Sequence, residues 1–369
     1  MPDISSDDIR RSTRDRDDLT RRLERWLRRH HPGAVVSDIE VPSNGMSSET
    51  ILVDAVWGDA ASPGDEDGGR FVLRLEPHAE AVPVFPSYDL DAQQRVMRLV
   101  AEHTDAPVPP VRWVEADRGV LGGTFFVMDR IDGRVPPDVL PYTMDGYVLE
   151  LDDGERRRMQ DRTVDVLSEI HTTPLGEATA FLEYEGDGST ALRRHVDHWR
   201  EYHAWVCGDR SVPVLDDAIA WLEANWPEAA DARDPVLSWG DARIGNVIYD
   251  DSSSPVAVLD WEMAGIAPRE VDIAWMAFLH TFFQDITVEF EMPGLPDMLR
   301  LDDVAARYHD SSGVEPVDLA WFEVYAAYRH GLIMARVRER QIHFGEAEPV
   351  VDPDEAVMHR RRLRELISR

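Results

Sequence analysis

The polar residues that could carry out chemistry are concentrated in residues 237–265, LSWGDARIGNVIYDDSSSPVAVLDWEMAG. Asp241 is followed five residues later by Asn246, and Asp260 comes at the end of the next apolar run. Carboxylate and amide oxygens are the ligands that Mg²⁺ prefers, and the ion keeps part of its shell for water and substrate phosphates. Phosphoryl transfer needs such ligands, together with a carboxylate that receives the proton of the acceptor hydroxyl. The spacing therefore predicts a site for phosphoryl transfer.

Short strands are predicted to position these residues. The apolar runs PVLSWGD and NVIYDD bracket a tight loop that contains glycine, and PVAVLDWE is predicted to form the next strand. The turn DDSSSP joins the last two strands into a hairpin, so that the loop before the first and the end of the second lie close together. Alternation along the strand would place Asp260 and Glu262 on one face. We therefore expect Asp241, Asn246 and Asp260 in one cleft.

The N-terminal part of the chain has the pattern of a small antiparallel sheet. An amphipathic helix is predicted first, with Leu19, Leu23, Trp26 and Leu27 on one face. Strand-like runs follow at residues 34–41, 50–57 and 71–77, then a helix at 89–103, and then two more strands, PVPPVRWVEAD and GGTFFVMDRIDG. After Gly133 the pattern changes to long amphipathic helices. The order predicts an α+β chain with two lobes, as its 369 residues also suggest.

The chain is strongly acidic. It has 71 Asp and Glu against 39 basic residues, a formal net charge of −32, and every one of those basic residues is arginine. Such a chain repels nucleic acid and anionic membranes, so neither is expected as a partner. We interpret the composition as adaptation of the whole surface to concentrated salt, where charge repulsion is screened over short distances. It therefore indicates nothing about the substrate.

Several classes of protein are excluded by what the sequence lacks. No apolar run is long enough for a membrane span, and the N-terminus has no apolar core of a signal peptide. The single Cys207 rules out an intrachain disulfide, so we expect a cytoplasmic protein. The histidines lack the spacing of zinc ligands, and neither a G-x-S-x-G elbow nor a Walker A lysine is present.

The motif at residues 237–265 resembles that of a known family. Asp-x4-Asn with a trailing Asp is similar to the H-R-D-x4-N … D-F-G pattern of protein kinases. It more closely resembles the aminoglycoside phosphotransferase-like kinases, with H-G-D-x4-N followed by D-W-E or D-W-D. Other segments match that family in order along the chain: SNGMSSET as the nucleotide-covering loop, FVLRLEP as the phosphate-binding strand, FFVMDRIDGRV as the hinge, LSEIHTTP as the helix before the catalytic region, and GIAPREVDIAWM after it.

The resemblance implies a fold and an activity. The fold would be bilobal and protein-kinase-like, of class α+β, with a sheet lobe at residues 1–130 and a mainly helical catalytic and acceptor-binding lobe at 131–369. ATP, or another nucleoside triphosphate, and Mg²⁺ would bind between the lobes. The activity would be transfer of a γ-phosphoryl group to a hydroxyl of a small molecule.

The resemblance also implies roles for individual residues. Asp241 would be the catalytic base, and Asn246 and Asp260 would be metal ligands. Arg74 stands at the strand position where the family has a lysine that binds the α- and β-phosphates, and an arginine keeps that charge with a different geometry. Further nucleotide contacts would come from the covering loop and the hinge, through Ser47, Ser48, Met128, Asp129 and Ile131.

Two departures from the family pattern leave an alternative open. Trp239 replaces the motif histidine and is expected to pack in the core. Gln93 and Gln94 stand near the position of a glutamate that pairs with the phosphate-binding cation, and a glutamine forms no ion pair. The alternative is a degenerate kinase-like module that binds a nucleotide and regulates a partner without turnover.

Two further residues have two interpretations each. Arg243, two residues after Asp241, would steady charge on the transferring phosphoryl group, or would pair as a surface arginine with one of the many acids. Glu262 would be a further ligand of the metal or of its water, or would pair with an arginine.

The acceptor is expected to be a small molecule with a hydroxyl group. The family includes kinases of aminoglycosides, macrolides, choline, homoserine and sugars, and a branch fused to acyl-CoA dehydrogenases acts on hydroxyacyl groups. The acceptor pocket would be built by helices within residues 190–230 and 280–345. Their aromatic residues indicate either an apolar or ring-bearing acceptor or packing between helices.

Overall fold

The computed structural model describes residues 15–41, 49–57, 68–77, 82–186 and 188–369. Contacts between residues divide the chain into two compact units. The first comprises residues 1–98 and 109–131, and the second comprises residues 99–108 and 132–369.

In the described residues of the first part of the chain, the structure has an antiparallel sheet and three helices. The strands are β1 (Ala34–Glu40), β2 (Glu49–Trp57), β3 (Gly68–Leu75), β4 (Val111–Glu115) and β5 (Phe125–Asp129), and the helices are α1 (Arg16–Leu27), α2 (Leu90–His103) and α3 (Arg118–Leu121). The spatial order of the strands is β1-β2-β3-β5-β4, and each neighbouring pair is antiparallel. The predicted sheet with an inserted helix is therefore confirmed.

Alternating apolar residues create the core of the first unit. In β3, Phe71, Leu73 and Leu75 are buried, while the residues between them are partly exposed, as the two-residue period of a strand requires. Leu23 and Trp26 of α1 belong to the same buried cluster. Full burial of one large apolar side chain contributes about 1.5–3 kcal/mol, so a shift of the strand by one residue would be strongly unfavourable.

The second unit is mainly helical, and its described residues include four short strands. Its helices, which follow α2 and α3 along the chain, are α4 (Tyr147–Glu150), α5 (Asp153–Ile170), α6 (Ala191–Cys207), α7 (Pro213–Ala224), α8 (Glu228–Asp231), α9 (Glu270–Glu289), α10 (Leu301–Ser312), α11 (Leu319–His343) and α12 (Arg360–Ile367). Its strands are β6 (Val236–Ser238), β7 (Val247–Tyr249), β8 (Pro255–Val258) and β9 (Gly265–Ala267).

Two long helices form the interior of the second unit. Every residue of α9 from Glu270 to His280 is buried, and so is every residue of α11 from Val324 to Leu332. A helix that is buried on all sides lies within a core rather than at a surface. Within the described residues, no helix is both long and apolar enough to cross a membrane.

Candidate active site

Short strands place the predicted catalytic residues on neighbouring pieces of chain. β7 and β8 form the predicted antiparallel hairpin, and β6 pairs with β9. Loop 239–246 connects β6 to β7. The N–H of Leu259 donates to the carbonyl of Asn246 at 2.8 Å, and the indole N–H of Trp239 donates to the carbonyl of Leu259 at 2.9 Å. The loop therefore lies against the segment that leads to Asp260.

The strand predicted over residues 255–262 is shorter than expected. β8 ends at Val258, and Asp260 has a φ of +56°, which lies in the left-handed region that residues other than glycine rarely adopt. The chain then turns, and the indole N–H of Trp261 donates to the carbonyl of Val258 at 3.2 Å. The prediction that Asp260 and Glu262 share one face of a strand is therefore wrong, because the left-handed residue ends the alternation.

Asp272 holds the start of loop 239–246 in place. Its buried carboxylate accepts hydrogen bonds from the backbone N–H groups of Trp239 at 2.8 Å and Gly240 at 2.9 Å, and from the hydroxyl of Ser238 at 2.9 Å. His171 Nε2 lies 2.9 Å from the same carboxylate. A buried carboxylate is stable only when it is hydrogen-bonded in this way, so the loop and Asp272 stabilise each other.

Gly240 allows the loop to pass close to the segment after Asp260. Its φ is +89°, and a Cβ atom at this position would lie 1.9 Å from the carbonyl oxygen of Met263. Only glycine combines a left-handed backbone with so close an approach. The geometry of the loop therefore requires a glycine at this position of the motif, whatever chemistry the site performs.

Both carboxylate oxygens of Asp241 are engaged by side chains. Oδ1 accepts a hydrogen bond from the indole N–H of Trp275 at 2.6 Å. Oδ2 accepts from the amide of Asn246 at 2.6 Å and from Nε of Arg243 at 3.1 Å. Hydrogen bonds to an ionised group are strong and fix its direction. Since each carboxylate oxygen has two lone pairs, the group keeps the capacity to accept a hydroxyl proton.

Arg243 is held between two acids. Besides its contact with Asp241, Nη1 lies 2.7 Å from both carboxylate oxygens of Asp138. Burial alone lowers the pKa of Arg243, but the charges of Asp241 and Asp138 outweigh it, and the pKa lies above its ordinary value. The guanidinium is therefore a permanent cation beside Asp241. Its contact with a phosphoryl group stays a prediction.

Asn246 and Asp260 are the residues predicted to bind a metal, and that role stays a prediction. The amide nitrogen of Asn246 donates a hydrogen bond to Asp241. The other polar atom of this side chain, Oδ1 of Asn246, is an oxygen, the atom type that Mg²⁺ prefers. Asn246 is buried, whereas Asp260 and Glu262 are partly exposed. In the part of the chain that the structure describes, no group of three or more His, Cys, Asp or Glu side chains could hold a metal by itself. A magnesium ion here would complete its shell with water and phosphate oxygens.

The predicted phosphate-binding arginine lies in the first unit. Arg74 is on β3, between buried residues, so its side chain projects from the opposite face of the strand. Its Nη1 donates to the hydroxyl of Thr50 at 3.0 Å. Gln93 and Gln94 are both buried on α2, and Nε2 of Gln94 donates to Asp91 at 2.9 Å. The role of Arg74 towards phosphates stays a prediction.

The predicted hinge residues lie at and just after the end of β5. Met128 is buried, and the carboxylate of Asp129 is held by Arg112 through two contacts of 2.6 Å. Asp129 would therefore contact a nucleotide through its backbone, as would Ile131 two residues further on. Two predicted nucleotide contacts lie outside the described residues, Ser47 and Ser48.

The sequence did not indicate two residues that complete the arrangement around Asp241. Trp275 belongs to the segment GIAPREVDIAWM, but nothing in that pattern indicates that its N–H reaches a carboxylate 34 residues earlier in the chain. Asp138 lies in a proline-rich loop and pairs with Arg243 across 105 residues. Contacts between residues so far apart in the chain depend on how α9 and the loop that contains Asp138 pack against loop 239–246. The local sequence pattern does not contain that information.

The arrangement of elements is that of a kinase-like fold, and solved phosphotransferases share it. A Ralstonia eutropha protein assigned to the aminoglycoside phosphotransferases is similar with a TM-score of 0.65 at 22% identity, with 94% of this chain and 96% of that chain covered. The GDP complex of aminoglycoside 2′-phosphotransferase-IIIa gives a TM-score of 0.59 at 12% identity, with 95% and 98% covered. These likenesses confirm the predicted protein-kinase-like fold.

Sequence comparison identifies the family. The model of the phosphotransferase enzyme family (APH) matches residues 38–293, and the chain therefore belongs to this family, as its motifs predicted. The Arabidopsis thaliana protein named probable acyl-CoA dehydrogenase IBR3 is 25% identical over 296 residues, which cover 77% of this chain and 34% of that protein. The chain spans about a third of the length of the curated relatives it matches.

Proposed function

We propose that this protein transfers the γ-phosphoryl group of ATP, or of another nucleoside triphosphate, to a hydroxyl group of a small molecule. The observation that carries the proposal is the fixed carboxylate of Asp241, which is oriented by Trp275, Asn246 and Arg243 and lies on a loop that contacts the segment leading to Asp260. Phosphoryl transfer depends on such positioning more than on covalent chemistry by the protein.

In this proposal Asp241 accepts the proton of the acceptor hydroxyl while the hydroxyl oxygen forms a bond to the γ-phosphorus. The bond between that phosphorus and the bridging β-phosphate oxygen breaks, and the nucleoside diphosphate leaves. The indole and amide donors keep the carboxylate in one orientation, so that no energy is spent on ordering it during the reaction. Arg243 adds a permanent positive charge beside the site. That charge would stabilise the negative charge of the phosphoryl group during transfer.

Mg²⁺ would be held by Asn246 and Asp260, with Glu262 as a further ligand of the ion or of its water. The donor set fits, because these residues offer an amide oxygen and carboxylates, while the phosphates and water fill the other positions. When bound, the ion would neutralise negative charge on the phosphates. The left-handed backbone at Asp260 supports a functional role, since such strain is found preferentially at functional sites.

The nucleotide would be bound by residues of the first unit. Arg74 would contact the α- and β-phosphates, and the backbone of Met128, Asp129 and Ile131 would face the base. Ser47 and Ser48 would complete the phosphate contacts. The structural relative solved with GDP supports a nucleotide as the donor. With a small-molecule acceptor, the proposed activity is that of a small-molecule kinase, for which we propose a cytoplasmic location.

The alternative, a nucleotide-binding regulatory module without turnover, rests on the glutamines of α2. Gln94 donates to Asp91 in its own helix and carries no charge with which to hold Arg74. The two functions differ in a single property, the turnover of an acceptor.

Nucleotide binding and turnover together test the proposal. Thermal unfolding is measured with ATP, with and without Mg²⁺, for the wild type and Asp260→Asn, and ADP release is measured against a panel of alcohols that includes amino sugars, choline and hydroxyacyl compounds. The last class belongs in the panel because the curated relatives carry the name acyl-CoA dehydrogenase. The matched control is Asp251→Asn, an exposed acid in the turn between β7 and β8.

We expect Mg²⁺-dependent stabilisation that Asp260→Asn loses and Asp251→Asn keeps. We also expect turnover that Asp241→Asn lowers by about a hundredfold or more, the typical contribution of a general base. Nucleotide binding with no turnover of any acceptor would favour the regulatory module. No binding of nucleotide by the wild type would contradict both functions.

A further inference from the structure

A buried arginine next to the catalytic loop has donors with no acceptor. Arg329 of α11 is 1% exposed. Its Nη2 donates to the carbonyl of Gly240 at 3.3 Å, but among the described residues its Nε and Nη1 atoms have no hydrogen-bond partner. The guanidinium carbon lies 4.7 Å, 4.6 Å and 5.7 Å from the ring centroids of Trp199, Trp275 and Tyr325. The rings stabilise the cation but supply no oxygen.

Trp199 contributes a third donor of the same kind. It is buried on α6, and within the described part of the chain its indole N–H has no hydrogen-bond partner either. A buried donor without a hydrogen bond destabilises the fold by about 1–3 kcal/mol, and by more if the group is charged. Three such donor atoms lie on two neighbouring side chains, and an acceptor oxygen of a bound molecule would be stabilised beside them.

The nearby carboxylates do not supply that acceptor. The carboxylate of Asp272 accepts hydrogen bonds from loop 239–246 and contacts His171. The carboxylate of Asp241 accepts hydrogen bonds from Trp275, Asn246 and Arg243. Burial lowers the pKa of Arg329, yet a guanidinium stays charged in proteins. The second unit therefore contains a buried cation to which, among the described residues, no carboxylate is hydrogen-bonded, although the chain has 71 acidic residues. An oxygen anion is the partner that such a group binds most strongly.

The donors also lie beside the loop that carries Asp241. Gly240, which Arg329 contacts, directly precedes Asp241, and Trp275 touches both Arg329 with its ring and Asp241 with its N–H. The ring of His198, which is exposed, lies 4.4 Å from the ring of Tyr184, which is partly buried. After burial, the charge of Arg329 is the next largest influence on the pKa of each of these two side chains. Trp199 and Arg329 belong to the two helical segments, 190–230 and 280–345, that were predicted to build the acceptor pocket.

We propose that Arg329 and Trp199 bind an anionic oxygen group of the carboxylate class on the acceptor molecule, a specificity that rests on the kinase function proposed above. The acceptor then carries its hydroxyl near Asp241 and its anionic group on the guanidinium. A buried cation at this position also disfavours acceptors whose hydroxyl lies next to an ammonium group, because like charges repel strongly away from water.

Three small probes of nearly equal shape test the proposal: butyrate, butyramide and butylamine, which is protonated at neutral pH. Their affinities for the full chain are measured by calorimetry at one fixed KCl concentration. We expect butyrate to bind about tenfold more tightly than butyramide, the difference between a charged and a neutral hydrogen bond, and butylamine to bind more weakly than both. The net charge of −32 would by itself favour butylamine, so the opposite order identifies a local cation.

Matched variants locate the site. Arg329→Gln should abolish the preference for butyrate over butyramide. Trp199→Phe keeps a ring and removes the N–H, and should weaken butyrate about fivefold; it decides the question if Arg329→Gln does not fold. The control is Arg336→Gln, which removes another arginine of α11 that lies 4.4 Å over a tryptophan ring of α6, Trp205, but pairs with Glu339. This control should bind all three probes as the wild type does.

Mg²⁺-dependent ATP binding and turnover are measured on the same samples, so that the two proposals fail separately. Equal affinities for butyrate and butyramide in the wild type, or a butyrate affinity that neither Arg329→Gln nor Trp199→Phe changes, would overturn the anionic site and leave the kinase function standing. A butyrate preference that the Arg329 and Trp199 variants lose, in a chain without turnover, would support the anionic site and count against the kinase function.

Discussion

The carboxylate of Asp241 is held both by its own loop and by the core. The amide of Asn246, five residues further along the loop, donates to it at 2.6 Å. From the core, the indole N–H of Trp275 donates to it at 2.6 Å, and Arg329 donates to the carbonyl of the preceding residue, Gly240. The spacing of the motif predicted that Asn246 lies near Asp241, whereas the contacts of Trp275 and Arg329 depend on the packing of α9 and α11.

At this scale Trp275→Phe is the most informative substitution. It keeps an aromatic ring against Arg329 and removes the N–H that donates to Oδ1 of Asp241 at 2.6 Å. A hydrogen bond to a charged group contributes about 1.5–3 kcal/mol, so we expect kcat to fall by about tenfold to a hundredfold. The KM for nucleotide should stay unchanged, because the contact that is removed is made to the proposed catalytic base, Asp241, and to none of the residues proposed to bind the nucleotide. Steady-state kinetics on both substrates measure the two effects separately.

The control for this change is Trp321→Phe. Trp321 is also a buried tryptophan, and its indole N–H donates to the carbonyl of Leu222 at 3.0 Å, away from loop 239–246. It should lose a similar amount of stability while keeping kcat. Equal kcat values for Trp275→Phe and the wild type would show that the bond does not position the base.

At the scale of elements, periodicity predicted the sheet and most helices well. The strand predicted at residues 71–77 is present as β3 (Gly68–Leu75), and the helix predicted at residues 89–103 is present as α2 (Leu90–His103). The prediction failed after Val258, where an apolar run continues in sequence but the strand ends. Periodicity reports which residues are apolar and cannot report that Asp260 takes a left-handed backbone.

Gly240 connects the element scale to activity. We expect Gly240→Ala to lower both the melting temperature and turnover, because the new Cβ atom would lie 1.9 Å from the carbonyl oxygen of Met263 and force loop 239–246 away from it. Gly313→Ala is the matched control, with a similar φ of +73° and, in the described structure, nothing within 4 Å of its Cβ position. The control should cost only the left-handed strain of about 1–2 kcal/mol. Thermal unfolding of both variants measures the difference, and equal losses would argue against the close approach.

At the scale of the whole molecule, two effects oppose each other when the pH falls. The net charge of −32 shrinks as carboxylates take up protons, which relieves repulsion. Buried histidines act in the other direction. Burial lowers the pKa of His280 and of His359 to about 4 from the ordinary 6.5, so the fold binds these protons less readily than the unfolded chain does. High salt screens the first effect and leaves the second.

In concentrated KCl we therefore expect acid to destabilise the protein before its ion pairs are protonated. The contribution of each histidine is complete above the unfolded pKa of 6.5 and is lost as the pH falls towards about 4; at about pH 5 the loss is about 2 kcal/mol for each group. Urea unfolding at about pH 7 and about pH 5, at one KCl concentration, measures it. His359→Gln should reduce this difference, although it removes the contact with the carbonyl of Ala327 and weakens the fold at neutral pH. A wild type equally stable at both pH values would show that these histidines do not resist protonation.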